Sequence, residues 1–221
     1  MCLADEPKSG AIRFNFFCRG PSKDSPDAMN TEIKYNFAEC FEKLSGVAHA
    51  VSSEQTAIDE IVSICKSADA KCVALAGLPE SIVTEIEDRC PNLKVLKEPY
   101  PAANLPGAID EADIGVTGIS FAIAQSGTLV EISTNDVVRL VSGLPRAYIG
   151  VLHAADIVNR FEEGAARIRD IVKQHDENLV ISFISGPSRT GDIELKLTLG
   201  VHGPGEAHAV IIGNQSLRQS G

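Results

Sequence analysis

Apolar residues at Met29, Ile33, Phe37, Phe41 and Leu44 recur along one helical face between Asp27 and Ser45. Gly46 stands where a C-cap glycine belongs, so a helix is predicted over 27–45. "VAHAV" (47–51) then predicts a strand. Ser52 precedes Gln55 by three, a capping-box spacing, and Ile58, Ile61, Val62 and Cys65 carry the next helical stripe. "CVALAG" (72–77) is a short unbroken apolar run, as expected of a strand covered on both faces. Pro79 opens a helix bearing Ile82, Val83 and Ile86, and "LKVLK" (93–97) is another strand.

Further along, "ADIGVTG" (112–118) reads as a strand ending at glycine. "ISFAIAQSGTLVEIS" (119–133) reads as an apolar segment, a Ser-Gly turn and a strand, and "RAYIGVLH" (146–153) as a strand introduced by Pro145. Asp156 is expected to cap a helix with the stripe Ile157, Phe161, Ala165, Ile168, Ile171 and Val172. "NLVISFIS" (178–185) and "AHAVIIG" (207–213) complete the strands. Short alternating strands and helices predict an α/β fold: a mostly parallel twisted sheet with helices on both faces, one sheet running through both halves. Residues 1–26 lack periodicity and read as an irregular arm. The domain is expected over 27–213, and 214–221 as a flexible tail.

Composition narrows the function classes. The 221 residues carry a net charge of −10 with no Lys/Arg cluster, which argues against a nucleic-acid binder. No apolar run approaches the roughly 20 residues of a membrane span, and the N-terminus has no apolar core of a secretory signal, so a cytoplasmic protein is expected. The six cysteines (Cys2, Cys18, Cys40, Cys65, Cys72, Cys90) form no C-x-x-C pair. That excludes the close thiolate spacing of zinc and iron–sulfur sites, and buried thiols are expected, with Cys40 and Cys65 on apolar helix faces.

Candidate chemistry gathers in three polar, glycine-bearing segments at predicted strand ends: Thr117-Gly118, Gln125–Thr128 and Ser185–Asp192. In open α/β sheets ligands bind outside the carboxyl ends of strands, so the three are expected to converge. Gly186-Pro-Ser-Arg-Thr-Gly191 has Walker A spacing, but Asp192 and Ile193 follow where Lys and Ser/Thr are needed. What survives is a weaker anion site of backbone N–H groups with Ser188, Arg189 and Thr190, or a plain turn. The same stretch is one residue too long after Ser188 for a nucleophile elbow. Asp192, Glu194, His202 and His208 offer metal-type ligands without compact spacing, so no metal is expected.

In "AQSGT" (124–128), Gln125, Ser126, Gly127 and Thr128 would present amide and hydroxyl groups to a carboxylate or phosphoryl oxygen. Arg139 could clamp a carboxylate, a surface ion pair being the commoner fate of such an arginine. Glu131 is a candidate acid or nucleophile if buried, an exposed strand glutamate being the commoner case. Asp192, Glu194 and His202 would orient the loop or handle a proton.

"ADIGVTGISFAIAQSGTLVEIS", "GLPRAYIGVL" and "SGPSRTGDIELKLTLGVHGPGEAHAVII", in that order, resemble the LUD-domain family, in its lactate utilization C type. The resemblance covers the chain from the first helix to residue 213. It implies a fold like that of ribose-5-phosphate isomerase, glucosamine-6-phosphate deaminase and CoA transferases. It also implies an accessory role beside two iron–sulfur partner proteins that oxidise L-lactate to pyruvate, with no cofactor in this chain. Where the family commonly has Ala-Glu-Thr-Gly-Thr, this chain has Ala124-Gln125-Ser126-Gly127-Thr128, and an amide cannot be a carboxylate nucleophile. Catalysis by the chain itself and homo-oligomer formation stay open. The alternative is a stand-alone enzyme or binding protein for acyl-CoA, folate or sugar phosphate.

Overall fold

The apolar runs and stripes assemble into layers in the computed structural model, which describes residues 35–191, 197–199 and 202–213. Six strands form one wholly parallel sheet: β1 (Val47–Val51), β2 (Cys72–Ala76), β3 (Lys94–Lys97), β4 (Ile114–Gly118), β7 (Ala147–His153) and β12 (Glu206–Ile212). Their order is β1-β12-β7-β4-β2-β3, so the last of the described strands lies between the first of them and β7. β2 is buried along its whole length, as its unbroken apolar run predicts.

The predicted single sheet needs correction. β5 (Phe121–Ile123), β6 (Thr128–Ser133), β8 (Ile157–Val158) and β9 (Val180–Ile184) pair separately in the order β8-β5-β6-β9. β10 (Arg189–Gly191) and β11 (Leu197–Leu199) form a small antiparallel pair. Antiparallel β5 and β6, joined by a tight turn, have no place in the parallel ladder and lie across it instead.

Period-2 alternation divides the core. On one face of the large sheet, Val73, Leu75, Ile114, Val116, Ile149, Val151, Val210 and Ile212 meet α2 (Glu54–Ser67) and α3 (Glu80–Arg89). On the other, Tyr148, Leu152, Ala207, Ala209 and Ile211 meet Phe37 and Phe41 of α1 (Phe37–Lys43) and Leu129 of β6. Cys72, Ala74 and Ala76 meet Ile109 of α4 (Gly107–Asp110) and Val138 and Val141 of α5 (Asp136–Gly143). The far face of the small sheet, with Val130 and Ile132, is covered by Ile168 and Ile171 of α6 (Phe161–Lys173). Each fully buried Ile, Leu or Phe stabilises such a layer by roughly 1.5–3 kcal/mol.

Local details differ from the sequence reading for identifiable reasons. α1 is described from Phe37, and the earlier part of the predicted 27–45 helix lies outside the described residues, as do the 1–26 arm and the 214–221 tail. The left-handed residue ending α1 is Ser45 (φ 66), not Gly46; Gly46 is needed for space, because a Cβ there would lie 2.3 Å from the Phe41 ring. The capping box is Ser53 with Thr56, one residue beyond Ser52 and Gln55. Asp156 caps nothing: its carboxylate pairs with Arg167 at 2.7 Å, Ile157 joins β8, and α6 begins at Phe161, which with Val172 is exposed. Cys65 is buried, its thiol pushed up to about 12 by desolvation, whereas Cys40 is half-buried.

Candidate functional site

The Ser-Gly turn between β5 and β6 is held against α1. Gly127 takes a left-handed conformation (φ 57, ψ 43), and a Cβ there would stand 2.5 Å from the Cys40 carbonyl carbon and the Phe41 nitrogen. Only glycine fits both the dihedral and the contact. Ser126 Oγ lies 2.8 Å from Thr128 Oγ1, which lies 2.8 Å from Ser185 Oγ. This hydroxyl chain ties the turn to the loop leaving β9, because Leu129 is in register with Ile184.

The same loop leans on the end of α1. Gly186 (φ 90) has no room for a Cβ, which would be 2.5 Å from Leu44 O. Arg189 Nη2 donates to Ser45 Oγ at 3.1 Å, and Ser188 N donates to Pro204 O at 2.8 Å. Gly205 N in turn donates to Arg146 O, so the loop lies at the amino ends of β12 and β7. Arg189 and Ser185 are exposed, Ser126 and Ser188 half-buried, and Thr128 buried.

Two of the three predicted segments therefore meet, and the third goes elsewhere. Thr117-Gly118 ends β4 at the carboxyl edge of the large sheet, and Thr117 Oγ1 donates to Glu131 Oε1 at 2.6 Å. Ser142 Oγ of α5 donates to Glu131 Oε2 at 2.8 Å, and Ser182, opposite Glu131 on β9, bonds it too. With the Thr117 proton committed, Tyr148 OH donates to Thr117 Oγ1 at 2.8 Å and lies 3.4 Å from Oε1. Glu131 is 2 % exposed. Burial pushes its carboxyl up to about 7, the hydroxyl donors pulling the other way. Tyr148, fully enclosed beside it, is raised well above the usual phenol value.

Gln125 has a structural task. Its side-chain Oε1 accepts from Phe161 N, the first N–H of α6, at 3.2 Å, while Arg160 supplies no side-chain cap. A carboxylate in that place would be a stronger acceptor and would face the positive helix end. Gln125→Glu is expected to stabilise the chain by up to about 1 kcal/mol and Gln125→Ala to destabilise it by about 1 kcal/mol, read from urea midpoints. Equal midpoints for the two variants would show that the contact does not cap α6.

Of the remaining candidates, Arg139 is exposed and pairs with Asp136 at 2.9 Å. Thr190 lies in β10 opposite Thr198. His202 is exposed in the segment before β12, and Asp192 and Glu194 lie outside the described residues. Among the described residues no group of three or more His, Cys, Asp or Glu could hold a metal, and no helix is long and apolar enough to cross a membrane. Tyr148, Ser142 and Ser45 were not foreseen. Tyr148 gave one signal, a polar-tipped side chain inside an otherwise apolar strand.

The LUD domain family model matches residues 35–212, from the start of the described fold to the last residue of β12. The chain belongs to the LUD-domain family. LUD-domain relatives named lactate utilization protein C share 38 % identity over 104 residues in Shouchella clausii (47 % of this chain, 45 % of the relative) and 36 % over 111 residues in Bacillus subtilis (48 % and 45 %). The chain thus spans about half the length of the curated relatives it matches. A crystal structure of a DUF162 family protein from Deinococcus radiodurans superposes with TM-score 0.54 at 21 % identity, covering 80 % of this chain and 94 % of that one. This LUD domain shares that protein's α/β fold.

Proposed function

We propose that this LUD-domain chain is a cytoplasmic accessory subunit of lactate utilization. It acts with iron–sulfur partner proteins and holds a small anion where the Gln125–Thr128 turn meets the Gly186–Arg189 loop. The observations that carry the anion site are the hydroxyl chain Ser126–Thr128–Ser185 and, further along the same loop, the Arg189 guanidinium held on Ser45. Neutral hydroxyls and one planar cation suit a carboxylate. The lactate role is supported by the names of the relatives. The partnership is supported by the family resemblance and by six cysteines without cluster spacing, so that electron transfer falls to other chains.

A stand-alone enzyme on acyl-CoA, folate or sugar phosphate is the second reading. Glu131, a carboxyl poised near neutral pH, is on its side, but a substrate would have to part the two sheets to reach it.

Thermal-shift measurements with lactate, pyruvate, phosphate, CoA and folate test the site. Lactate or pyruvate at a hundredfold excess over Kd is expected to add about 2.7 kcal/mol. Arg189→Ala is expected to weaken that binding about tenfold or more, the worth of a charge-assisted hydrogen bond. No shift with either carboxylate overturns the anion site. Failure to co-purify with any cluster-bearing chain overturns the partnership.

A further inference from the structure

Two histidines meet on the α2 side of the large sheet, near the amino ends of β1 and β12. His49 Nε2 and His208 Nδ1 are 3.1 Å apart, with ring centroids at 5.3 Å. Each ring has a carboxylate at its far nitrogen. Glu60 Oε1, from α2, lies 2.8 Å from His49 Nδ1, and Glu206 Oε2 lies 3.8 Å from His208 Nε2. At 3.8 Å Glu206 is a charge neighbour, not a hydrogen-bond partner, and the buried His208 Nε2 has no such partner among the described residues.

The other elements packed here are apolar toward the pair. β7 contributes Ala147 and Ile149 to this face, and α1 packs on the opposite face through Phe37 and Phe41. Among the described residues, Glu60 and Glu206 are the charged groups that face the two rings.

Proton counting follows from the distances. Glu60 fixes a proton on His49 Nδ1, and the 3.1 Å contact needs one proton between the rings. If both rings are neutral, His208 Nδ1–H donates to His49 Nε2, and His208 Nε2 is left bare. One added proton lets His49 Nε2–H donate to His208 Nδ1 and turns His208 Nε2–H toward Glu206. A second would set two N–H groups and two positive charges against each other at 3.1 Å.

We propose that the row Glu60–His49–His208–Glu206 is an acid-sensitive clasp that holds the edge strand β1 and α2 onto β12. Folded, the two imidazoles take up at most one proton between them; unfolded, they take up two. Desolvation, and then the neighbouring His49, hold the His208 imidazole below its usual value, the direction the geometry demands. A histidine with a depressed folded value contributes stability that is present above about pH 6.5 and lost as pH falls through the folded value.

Urea unfolding of the whole chain between pH 7.5 and 5 tests this, comparing wild type with His208→Gln and with His202→Gln as an exposed-histidine control. Below about pH 6 the wild-type unfolding constant is expected to rise up to tenfold per pH unit more steeply than that of His208→Gln, and in parallel with the control. Parallel profiles for wild type and His208→Gln overturn the clasp. If His208→Gln does not fold, imidazole ¹⁵N shifts of the wild type decide. One ring of the pair should stay neutral at pH 5.5 in the folded chain; two charged rings there overturn the proposal.

Discussion

Replacing Glu131 with glutamine is expected to remove a pH dependence worth about 3 kcal/mol. In the folded chain the carboxyl titrates at about 7 rather than 4.5, because it is enclosed between the two sheets. The folded state therefore keeps a proton through a window in which the unfolded state has lost it. Stability from this group is complete below pH 4.5 and is lost as pH rises through about 7. The size follows from roughly 1.4 kcal/mol for each pKa unit. Glutamine carries no charge to desolvate, and Ser142, which also reaches Arg139 O, can turn to accept from its amide. Relative to wild type, Glu131→Gln should thus gain about 3 kcal/mol between pH 4.5 and pH 8 in denaturant titrations. Glu131→Ala should lose roughly 3 kcal/mol at pH 5, since it empties a buried site and takes from Thr117 Oγ1 its carboxyl acceptor, while Ser142 falls back on Arg139 O. Identical pH profiles for wild type and Glu131→Gln would mean that water reaches the carboxyl and that the sheets do not close over it.

The second large effect is steric. Gly127→Ala must place a Cβ 2.5 Å from the backbone of Cys40 and Phe41 while holding a left-handed dihedral. The dihedral alone costs about 1 kcal/mol. Relief of the clash must shift α1, and with it Phe37 and Phe41, both fully buried. A loss of roughly 4 kcal/mol is expected, on the scale of removing a large core side chain. Gly143→Ala is the control: nothing lies within 4 Å of a Cβ there, and its place in α5 favours a gain of up to about 1 kcal/mol. If Gly127→Ala matches the control, α1 does not rest on the turn. Since Ser45, Leu44 and the Arg189 loop share that support, Gly127→Ala should also abolish any anion binding at the hydroxyl chain.

Much of the large sheet was legible because its strands are short apolar runs bounded by glycine or proline, as in "CVALAG" and "RAYIGVLH". The small sheet was not, because which strands are neighbours is a tertiary matter. Ile157 and Phe161, four residues apart, look like one helical stripe. Pairing of Ile157 with Ala122 claims the first for a strand, and α6 starts only at the second. Glu131 misled in another way. A glutamate alternating with Val130 and Ile132 usually marks the wet face of a strand. Here both faces are covered, one by α6 and one by the large sheet, so the alternation separates two kinds of interior. The junction of the 125–128 turn with the Ser185 loop was foreseen as a convergence, yet at the wrong edge. Sequence shows that a loop follows a strand but not which end of another sheet it rests on.

The position of β12 has a consequence for synthesis. A chain emerging in order presents β1 before the other described strands, but β1 has its only described strand neighbour in Glu206–Ile212, the last of them. Until those residues arrive, β1 and β7 both expose unpaired backbone, and β7 is one of the most apolar segments of the fold. The large sheet therefore cannot be completed by successive addition from its N-terminal side. It closes in one late step, when a strand is inserted between two that have been waiting, and that interval is when the nascent chain most needs protection from its own kind.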